Sequence, residues 1–526
     1  MSVQIELPTH FNAAAHFLNL NPGAGRADKT YLICGEARMS YGEVRAASQR
    51  VAAGLRRLGI EPEQRVMLLM ADTLDFPPCF WGAILAGAVA IPVNTLLKRD
   101  EYRYFLEDSR ARVLIVDPAF WPEVQPALGG LRHLRHIVMT GTPAQGTSGL
   151  DTLLREDAGA ERAEPEPMHP EDAALWLYTS GSTGVPKAAV HLHRDLVYAA
   201  ECYAMRTIGL REDDLTFSAA KFFFAYGLGN SLYFPMAAGC TAVIFPQRPT
   251  PEAMFDQLHR HRPTVFYGVP TLFNAMLNTY ESWLKGRNPP ATLPRLDALR
   301  FCVSAGESLP PETFQRWKKH FGGEILDGIG STEMLHIFLS NRLGQACPGS
   351  SGTPVPGYEA RIVDEQGEPA RDGEAGLLLV KGDTAAPYYW NKHEKTKATM
   401  LGEWMVTGDR YARDAEGYYW YQGRNDDMMK VSGSWVSPVE VENALLKHDA
   451  VAECAVVAHV DSDGLTKPKA FVVLKPGQAA SAALAEALRE HVRGEIAGFK
   501  TPRWVEFASD LPKTATGKIR RFALRG

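Results

Sequence analysis

The sequence predicts an α/β fold, with a large amino-terminal part of helix-covered sheets that includes a β-rich unit, and a small α+β domain at the carboxy terminus. Three observations support this prediction. Apolar strand patterns alternate with helical patterns up to Asp364. Beyond Asp364, short strand patterns are separated by Gly and Asp turns, and from Asp426 onward about 100 residues form another compact pattern. We therefore expect two domains, at residues 1–425 and 426–526.

The hydrophobic pattern also predicts individual elements in chain order. In the amino-terminal part it predicts a helix at 80–86 and strands at 65–70, 112–116, 173–178, 376–381 and 418–421. In the carboxy-terminal part it predicts helices at 438–447 and 482–496 and strands at 451–459 and 470–474. Residues 156–172 are rich in Pro, Glu and Ala, which is typical of an exposed connection.

Composition excludes several classes of protein. The chain has 526 residues with 45% hydrophobic residues, the usual balance of a globular protein. Its net charge of -5 argues against general nucleic-acid binding. Seven scattered cysteines and an amino terminus that lacks a secretory pattern predict reduced thiols in a cytoplasmic protein. The uncharged stretch 76–93 contains three prolines, which favours a buried helix and strand over a membrane span.

The strongest local motif runs from Tyr178 to Lys187 and follows an apolar strand. Its glycines let the backbone approach an anion, its hydroxyl and amide groups donate to phosphate oxygens, and Lys187 adds a cation. The segment differs from a Walker A loop, because two residues instead of four separate Gly181 from Gly184. We expect a phosphate-binding loop, with a flexible Ser/Gly turn as the alternative. Its candidate contacts are Thr179, Ser180, Gly181, Ser182, Thr183, Gly184 and Lys187.

Three weaker motifs follow along the chain. Residues 327–333 join glycines to the hydroxyl of Thr332 and the carboxylate of Glu333, an oxygen ligand suited to Mg²⁺, although a helix-capping turn is an equal alternative. Asp409 follows a turn, where its carboxylate can accept hydrogen bonds from ribose hydroxyls, but Asp is common in turns. Residues 512–521 combine turn formers with four cations, a pattern that also suits a simple basic tail.

Together and in this order, the motifs resemble those of the adenylate-forming superfamily of acyl-CoA synthetases, luciferases and peptide-synthetase adenylation domains. The resemblance extends from the segment at 40–44 to Lys518 and includes residues 423–427. It implies that a carboxylate attacks the α-phosphate of ATP to form an acyl-adenylate and pyrophosphate, after which the thiol of CoA displaces AMP. The resemblance therefore implies ATP, Mg²⁺ and CoA as cofactors and co-substrates.

The resemblance also implies roles for single residues. Lys518 matches the adenylation lysine, Glu333 the partner of Mg²⁺ and Thr332 a phosphate contact. The nucleotide site would be completed by a wall for adenine, a carboxylate facing the adenine amine and contacts to the ribose: Ala305, Gly306, Glu307, Asp327, Gly330, Ser331, Asp409 and Arg424. Ile329 departs from the family, which commonly stacks an aromatic residue on adenine at this position, so that contact is expected to be weaker.

The small domain of this family rotates between the two half-reactions, which makes it mobile. Asp426 matches the hinge, and rotation would replace Lys518 with the segment that begins at Lys430. That segment would line the pantetheine tunnel, and a more distant aromatic residue would contact the CoA nucleotide: Ser432, Gly433, Ser434, Trp435 and Phe499. Both aromatic residues have a core-packing alternative. Lys518 also resembles the acetylation target of related synthetases, which implies a lysine acetyltransferase and deacetylase as partners.

The acyl pocket of the family corresponds to residues 221–230. Amino-acid-activating relatives have an Asp there to pair with the substrate ammonium group, whereas this chain has Phe224 and Ala225. Clustered aromatic rings suit a flat aryl carboxylate, and the run resembles that of benzoate–CoA ligases. The pocket candidates are Phe224, Ala225, Tyr226, Gly330, Leu335, His336 and Ile337. Ordinary core packing of the Phe cluster is the alternative.

The sequence thus predicts a ligase that converts an aromatic acid, benzoate first, to its CoA thioester. A ligase for medium-chain or substituted aryl acids is the alternative within this class, and a luciferase-like oxygenase has no specific support. A non-catalytic nucleotide-binding protein of the same fold is the alternative from another class, against which the intact Glu333, Asp409 and Lys518 argue. The oligomeric state stays open, with a homodimer among the alternatives.

Overall fold

The computed structural model describes residues 3–155, 164–180, 185–431, 434–461, 465–513 and 519–525. Two large sheets form the amino-terminal part, and a smaller, mostly antiparallel sheet follows them. The last part of the chain contains a two-stranded and a three-stranded sheet. Helices cover the large sheets, as the alternating pattern predicts.

The first large sheet has seven strands, and all neighbours are parallel except the last pair. In spatial order its strands are Ser148–Gly149, His136–Met139, Val113–Val116, Arg65–Leu69, Val89–Pro92, Ala173–Ser180 and Pro186–Leu192. Every residue of Val113–Val116 is buried, as expected for a parallel strand covered on both faces. The strands predicted near residues 65, 112 and 173 are therefore confirmed.

The uncharged stretch 76–93 lies inside this part of the protein. It forms the helix Phe76–Leu85 and the strand Val89–Pro92, and every residue of both elements is buried. Proline occupies the first turn of the helix, where a missing N–H costs nothing. Throughout the described ranges, no helix is long and apolar enough to cross a membrane.

The second large sheet has nine strands. In spatial order they are Thr353–Pro354, Ile337–Ser340, Ile325–Gly330, Phe301–Ser304, Val265–Gly268, Leu215–Ser218, Thr241–Ile244, Thr30–Cys34 and Ala37–Ser40. Strands Phe301–Ser304 and Ile325–Gly330 run parallel, with Ser304 beside Asp327. Their carboxyl ends therefore meet at one edge of the sheet, which is where open α/β sheets bind ligands.

Helices pack between and around these sheets. Those of the amino-terminal part are Ala13–Gly23, Tyr41–Arg57, Phe76–Leu85, Arg99–Ser109, Trp121–Val124, Asp151–Leu154, His193–Ala199, Ala225–Leu228, Phe234–Ala238, Pro251–His261, Pro270–Leu284, Pro311–Phe321 and His393–Thr399. Two π-helical segments, Ala200–Met205 and Gly229–Tyr233, each continue one of these helices. All seven cysteines carry free thiols, and five of them are buried.

The β-rich unit contains the strands Tyr358–Val363, Gly376–Gly382, Met400–Leu401, Trp404–Arg413 and Tyr419–Arg424. The last part of the chain contains the strands Met429–Val431, Ser434–Val436, Val451–Val460, Thr466–Leu474 and Trp504–Phe507 with the helices Pro438–Leu446 and Ala482–Glu495. The strands predicted at 376–381, 418–421, 451–459 and 470–474 and the helices predicted at 438–447 and 482–496 each match one of these elements to within a few residues. The other six strands are not predicted by the sequence pattern. The structural class is α/β with an α+β carboxy-terminal part.

Contacts join the carboxy-terminal part to the large sheets. Asn274 donates its side-chain amide hydrogen to the carbonyl oxygen of Ala452 at 2.9 Å. The backbone N–H of Ile519 donates to the carboxylate of Glu307 at 3.0 Å. Buried apolar residues around Met429 form a cluster separate from the cluster that includes Tyr419. The domain boundary at Asp426 lies between these two residues and stays a prediction.

Candidate active site

Three segments converge at the carboxyl edge of the second large sheet. Lys187 comes from the strand Pro186–Leu192, and Glu333 from the turn that follows Ile325–Gly330. Tyr389 comes from the segment after Gly376–Gly382. Lys187 Nζ lies 3.0 Å from Glu333 Oε1 and 2.6 Å from the hydroxyl of Tyr389, which itself donates to Glu333 Oε1 at 2.6 Å. These three side chains form a closed ionic cluster, here called the Lys187 cluster.

Burial makes the Lys187 cluster electrostatically strong. The side chains of Lys187 and Glu333 are 12% and 15% exposed. Burial lowers the pKa of Lys187, although Glu333 partly offsets this effect. Burial alone would raise the pKa of Glu333, but the charge of Lys187 and the hydroxyl of Tyr389 hold it below its usual value. The ion pair therefore favours the charged form of each group against the effect of burial.

The turn that carries Glu333 is held from several sides. Ser331 begins it as an N-cap, accepting from the N–H of Met334 at 3.2 Å. The carbonyl oxygen of Glu333 accepts from Ala386 N at 2.8 Å. Leu335 closes the turn with φ of +61°, a left-handed conformation that is costly for a residue with a side chain. A strained turn held by so many contacts is typical of a functional site.

The structure brings the predicted adenine and ribose contacts to the same edge. Asp327 lies in the buried part of its strand beside Ser304, and burial raises its pKa to about 8. Ala305 is buried, and Glu307 binds Ile519 of the carboxy-terminal part. Ile329 is partly buried and packs against the core, consistent with an aliphatic wall where an aromatic residue is more common.

Asp409 and Arg424 form an ion pair on neighbouring strands. Their side chains are 3.0 Å apart across the pairing of Trp404–Arg413 with Tyr419–Arg424. Gly408 adopts φ of +77° directly before Asp409, which turns the backbone there at no steric cost. The ion pair raises the pKa of Arg424. A carboxylate fixed by an arginine is a suitable acceptor for the two hydroxyls of a ribose.

The predicted acyl-pocket residues also lie together. Phe222 is fully buried and stacks on Phe76, so the first ring of the Phe cluster is ordinary core. Phe224 is only partly buried and contacts Phe223 edge to face at 4.4 Å. Ala225 begins a short helix, and its side chain is 8% exposed. Core packing therefore fits Phe222, and Ala225 is also buried, whereas Phe224 stays partly exposed.

Tyr226 and His336 are the polar members of the predicted pocket residues. The hydroxyl of Tyr226 lies 3.2 Å from the carbonyl oxygens of Gly268 and Val303. His336 Nε2 lies 3.2 Å from Asn230 Oδ1, and burial lowers the pKa of His336 to about 3, so its ring is neutral.

Close packing explains the small residue at Gly330. A Cβ atom there would lie 2.4 Å from the carbonyl oxygen of His336, which leaves no room for a side chain. Leu335 and Ile337 are fully buried beside it. The chain is therefore closely packed around Gly330, which is one of the predicted pocket residues.

Several predicted residues are exposed or outside the described ranges. Lys430 and Asp426 are exposed, and the carbonyl oxygen of Asp426 accepts from Arg525 at 2.9 Å. Phe499 is 46% exposed, so the core-packing alternative is wrong for this residue. Outside the described residues lie Gly181, Ser182, Thr183, Gly184, Ser432, Gly433 and Lys518, and only the backbone is described for Ser180, Ser434 and Trp435. Thr179 lies at the end of its strand opposite Lys187.

Glu333 is the predicted ligand of Mg²⁺, and its surroundings are compatible with binding both Lys187 and a metal ion. Lys187 and Tyr389 both bind Oε1, so the other carboxylate oxygen takes no part in these two hydrogen bonds. No group of three metal-binding side chains occurs among the described residues. Mg²⁺ is commonly held by one or two carboxylates together with substrate phosphates and water, and a single Glu suits that arrangement.

Tyr389 is a residue of the site that sequence reasoning missed. It lies 202 residues from Lys187, in a segment that none of the predicted motifs includes. Lys187 Nζ also lies 3.9 Å from the centre of the Tyr389 ring, which adds a cation–π contact. Only the three-dimensional structure identifies it as a partner of both charges.

Comparisons with known proteins agree with this geometry. The sequence profile of AMP-binding enzymes matches residues 21–390, and that of the AMP-binding enzyme C-terminal domain matches residues 440–518. The chain is 50% identical over 523 residues to a benzoate–CoA ligase of Thauera aromatica, covering 99% of this chain and 97% of that protein. It is 47% identical over 516 residues to a 4-hydroxybenzoate–CoA/benzoate–CoA ligase of Rhodopseudomonas palustris, covering 98% and 94%.

Solved structures lead to the same family. A benzoate CoA ligase from Burkholderia xenovorans LB400 superposes with a TM-score of 0.89 at 47% identity, covering 98% of this chain and all 100% of that one. An anthranilate CoA ligase in complex with anthranoyl-AMP superposes with a TM-score of 0.92 at 42% identity, covering 98% and 97%. The predicted fold class and the resemblance to adenylate-forming acyl-CoA synthetases are confirmed. The chain belongs to the family of AMP-binding enzymes.

Proposed function

We propose that this enzyme activates an aromatic carboxylic acid, benzoate first, through an acyl-adenylate to its CoA thioester, releasing AMP and pyrophosphate. The observation that carries the proposal is the Lys187 cluster, and the run that includes Phe224, Ala225 and Tyr226 is the predicted acyl pocket. Full-length likeness to benzoate–CoA ligases supports the same conclusion. ATP and CoA are the co-substrates of such a ligase.

The pocket suits an uncharged ring. Phe224 offers an aromatic edge and Ala225 leaves space, while His336 is neutral because burial lowers its pKa to about 3. None of the predicted pocket residues carries a carboxylate to pair with an ammonium group, so an amino-acid substrate would leave a buried charge unpaired. Rings prefer edge-to-face or offset contacts with other rings, which favours benzoate over an aliphatic acid.

The first half-reaction brings two anions together, because a carboxylate oxygen attacks the α-phosphate. Lys187 supplies a fixed positive charge at this place, and its position is set by Glu333 and Tyr389. Preorganised cations stabilise developing charge without having to reorient. Mg²⁺ bound at Glu333 would neutralise part of the phosphate charge. Thr332, Asp409 and Arg424 would hold the phosphates and the ribose, and Asp327 the adenine.

The second half-reaction is assigned to a rotated carboxy-terminal domain. We expect Asp426 to act as the hinge and Lys430 to enter the site in place of Lys518. Exposure of Phe499 suits a contact with the CoA nucleotide, as does the cation of Lys500 near its ring. Reversible acetylation of Lys518 and a cytoplasmic location also stay predictions.

A pyrophosphate-release assay over a panel of carboxylic acids, with and without CoA, tests the proposal. Benzoate, Mg-ATP and CoA should yield benzoyl-CoA, AMP and pyrophosphate, with label from the carboxylate oxygen recovered in AMP. Release of ADP and phosphate would reject adenylation. A preference for hexanoate, or for a substituted aryl acid, would still support adenylation but would show that benzoate is not the main substrate.

A further inference from the structure

His191 and Asp195 form a buried pair behind the catalytic turn. Both side chains are fully buried, with 0% exposure. His191 Nδ1 lies 3.1 Å from Asp195 Oδ2, and its other ring nitrogen, Nε2, lies 2.7 Å from the carbonyl oxygen of Thr332. The imidazole therefore connects a carboxylate on one side to the backbone of the turn on the other.

The chemistry of these contacts determines where the protons are. A carbonyl oxygen can only accept a hydrogen bond, so Nε2 must carry a hydrogen and donate it to Thr332. Asp195 Oδ2 also accepts from Leu192 N at 3.0 Å. One further proton must lie between Nδ1 and Oδ2, because two lone pairs 3.1 Å apart would repel. The pair is neutral as a whole, and its Nε2–H is fixed as a donor.

This donor acts on the same turn as the Lys187 cluster. Lys187 and His191 lie four residues apart on the strand Pro186–Leu192, so their side chains leave the same face. Lys187 binds the carboxylate of Glu333, and His191 binds the carbonyl oxygen of the preceding residue. The strand thus holds the backbone and the side chain of the turn at two points, which restricts its rotation.

Capping of the next helix explains why Asp195 is present but not why His191 contacts Thr332. Asp195 accepts from Leu192 N at the start of the helix His193–Ala199, and any acceptor at this position would serve that purpose. The contact from His191 to Thr332 bridges 141 residues and contributes nothing to the cap. This hydrogen bond therefore stabilises the turn that carries Glu333, and not the helix cap.

We propose that His191 is a positioning residue for adenylation, held by Asp195 and acting through the Thr332 carbonyl to fix the Thr332–Glu333 turn against the nucleotide phosphates. The inference rests on the proposed adenylation of an aromatic acid. Loss of His191 would let the turn move while every group that touches the substrates is still present. The cost should therefore appear in the turnover of the adenylation step.

The test compares His191→Leu, His191→Gln and His193→Gln in ATP–pyrophosphate exchange with benzoate. Glutamine places an N–H donor at nearly the distance of Nε2, whereas leucine places none. His193 is an equally buried control two residues along the chain, and its Nδ1 accepts from Ala13 N at 3.0 Å. Loss of one strong hydrogen bond should lower kcat of exchange roughly 10- to 100-fold in His191→Leu.

The expected pattern has three parts. His191→Gln should recover most of the lost turnover, His193→Gln should lose stability without the kcat defect, and KM for benzoate should change little in all three. Equal kcat losses in His191→Leu and His193→Gln, or no rescue by Gln, would overturn the inference. If the wild-type chain lacks exchange with benzoate, the proposed function fails by itself. Calorimetric MgATP binding then decides the inference, which predicts weaker binding for His191→Leu than for His191→Gln.

Discussion

Replacing Tyr389 with phenylalanine removes one hydroxyl and leaves the ring in place. That hydroxyl donates to Glu333 Oε1 at 2.6 Å and accepts from Lys187 Nζ at 2.6 Å. The ring keeps its cation–π contact with Lys187, 3.9 Å from the ring centre. The variant therefore tests the two hydrogen bonds and little else.

The magnitude follows from the burial of these charges. Hydrogen bonds to charged groups contribute about 1.5–3 kcal/mol when they are protected from water. We expect Tyr389→Phe to lower the free energy of unfolding by about 2 kcal/mol, since the Lys187–Glu333 ion pair survives. If the same interaction is used in the adenylation transition state, the rate of that step should fall roughly 30-fold.

The pH profile offers a second measure. The hydroxyl is one of the groups that hold the pKa of Glu333 below its usual value. Its removal should raise that pKa, and a carboxylate with a lowered pKa contributes stability that is lost as pH falls. The acid limb of both stability and exchange should therefore move to higher pH in the variant.

Urea denaturation and ATP–pyrophosphate exchange measure these effects, and supplied benzoyl-AMP with CoA isolates the thioester step. Tyr388→Phe is the matched control, because Tyr388 is adjacent and 41% exposed. Unchanged stability and exchange in Tyr389→Phe, or equal losses in Tyr388→Phe, would refute the role of the hydroxyl. An equal loss in the thioester step would show that the cluster is structural.

Further predictions concern the lysines, the pocket and a buried acid. Lys518→Ala should slow adenylation ~10²–10³-fold, because it removes a cation from the developing charge, and it should leave thioester formation from benzoyl-AMP intact. Lys430→Ala should impair the thioester step and leave adenylation intact. Equal losses in both assays would contradict domain alternation. Ala225→Leu should lower kcat/KM for benzoate more than for hexanoate, because overpacking excludes the wider ring first. If the ratio of the two kcat/KM values is unchanged, the assigned position of the pocket is wrong. Burial raises the pKa of Asp327 to about 8, so from about pH 4 to 8 the unfolded chain alone loses this proton and stability falls. The stability advantage of Asp327→Asn in thermal melts should therefore grow across this window, and a pH-independent difference would contradict the raised pKa.

Local patterns in the sequence determined much of the fold. Consecutive buried residues at 113–116 and 174–177 are readable as strands because a strand covered on both faces needs no polar alternation. The motif containing Glu333 and the run containing Ala225 are also local, since their chemistry depends on residue types a few positions apart. Through their resemblance to adenylate-forming enzymes, these features predicted an adenylating enzyme, which the comparisons support, and an aryl pocket, which stays a prediction.

The partners within the site were decided only by the tertiary structure. Glu333 and Tyr389 lie 146 and 202 residues from Lys187, and His191 reaches Thr332 across 141 residues. No periodicity encodes such pairs, because they depend on which strands are neighbours and where each strand ends. Burial also depends on tertiary packing. The neutral ring of His336 and the raised pKa of Asp327 result from desolvation by residues from several elements. The sequence therefore determined which chemical groups the protein has, and sheet order and burial decided which of them meet and in which charge state, because both arise from long-range packing.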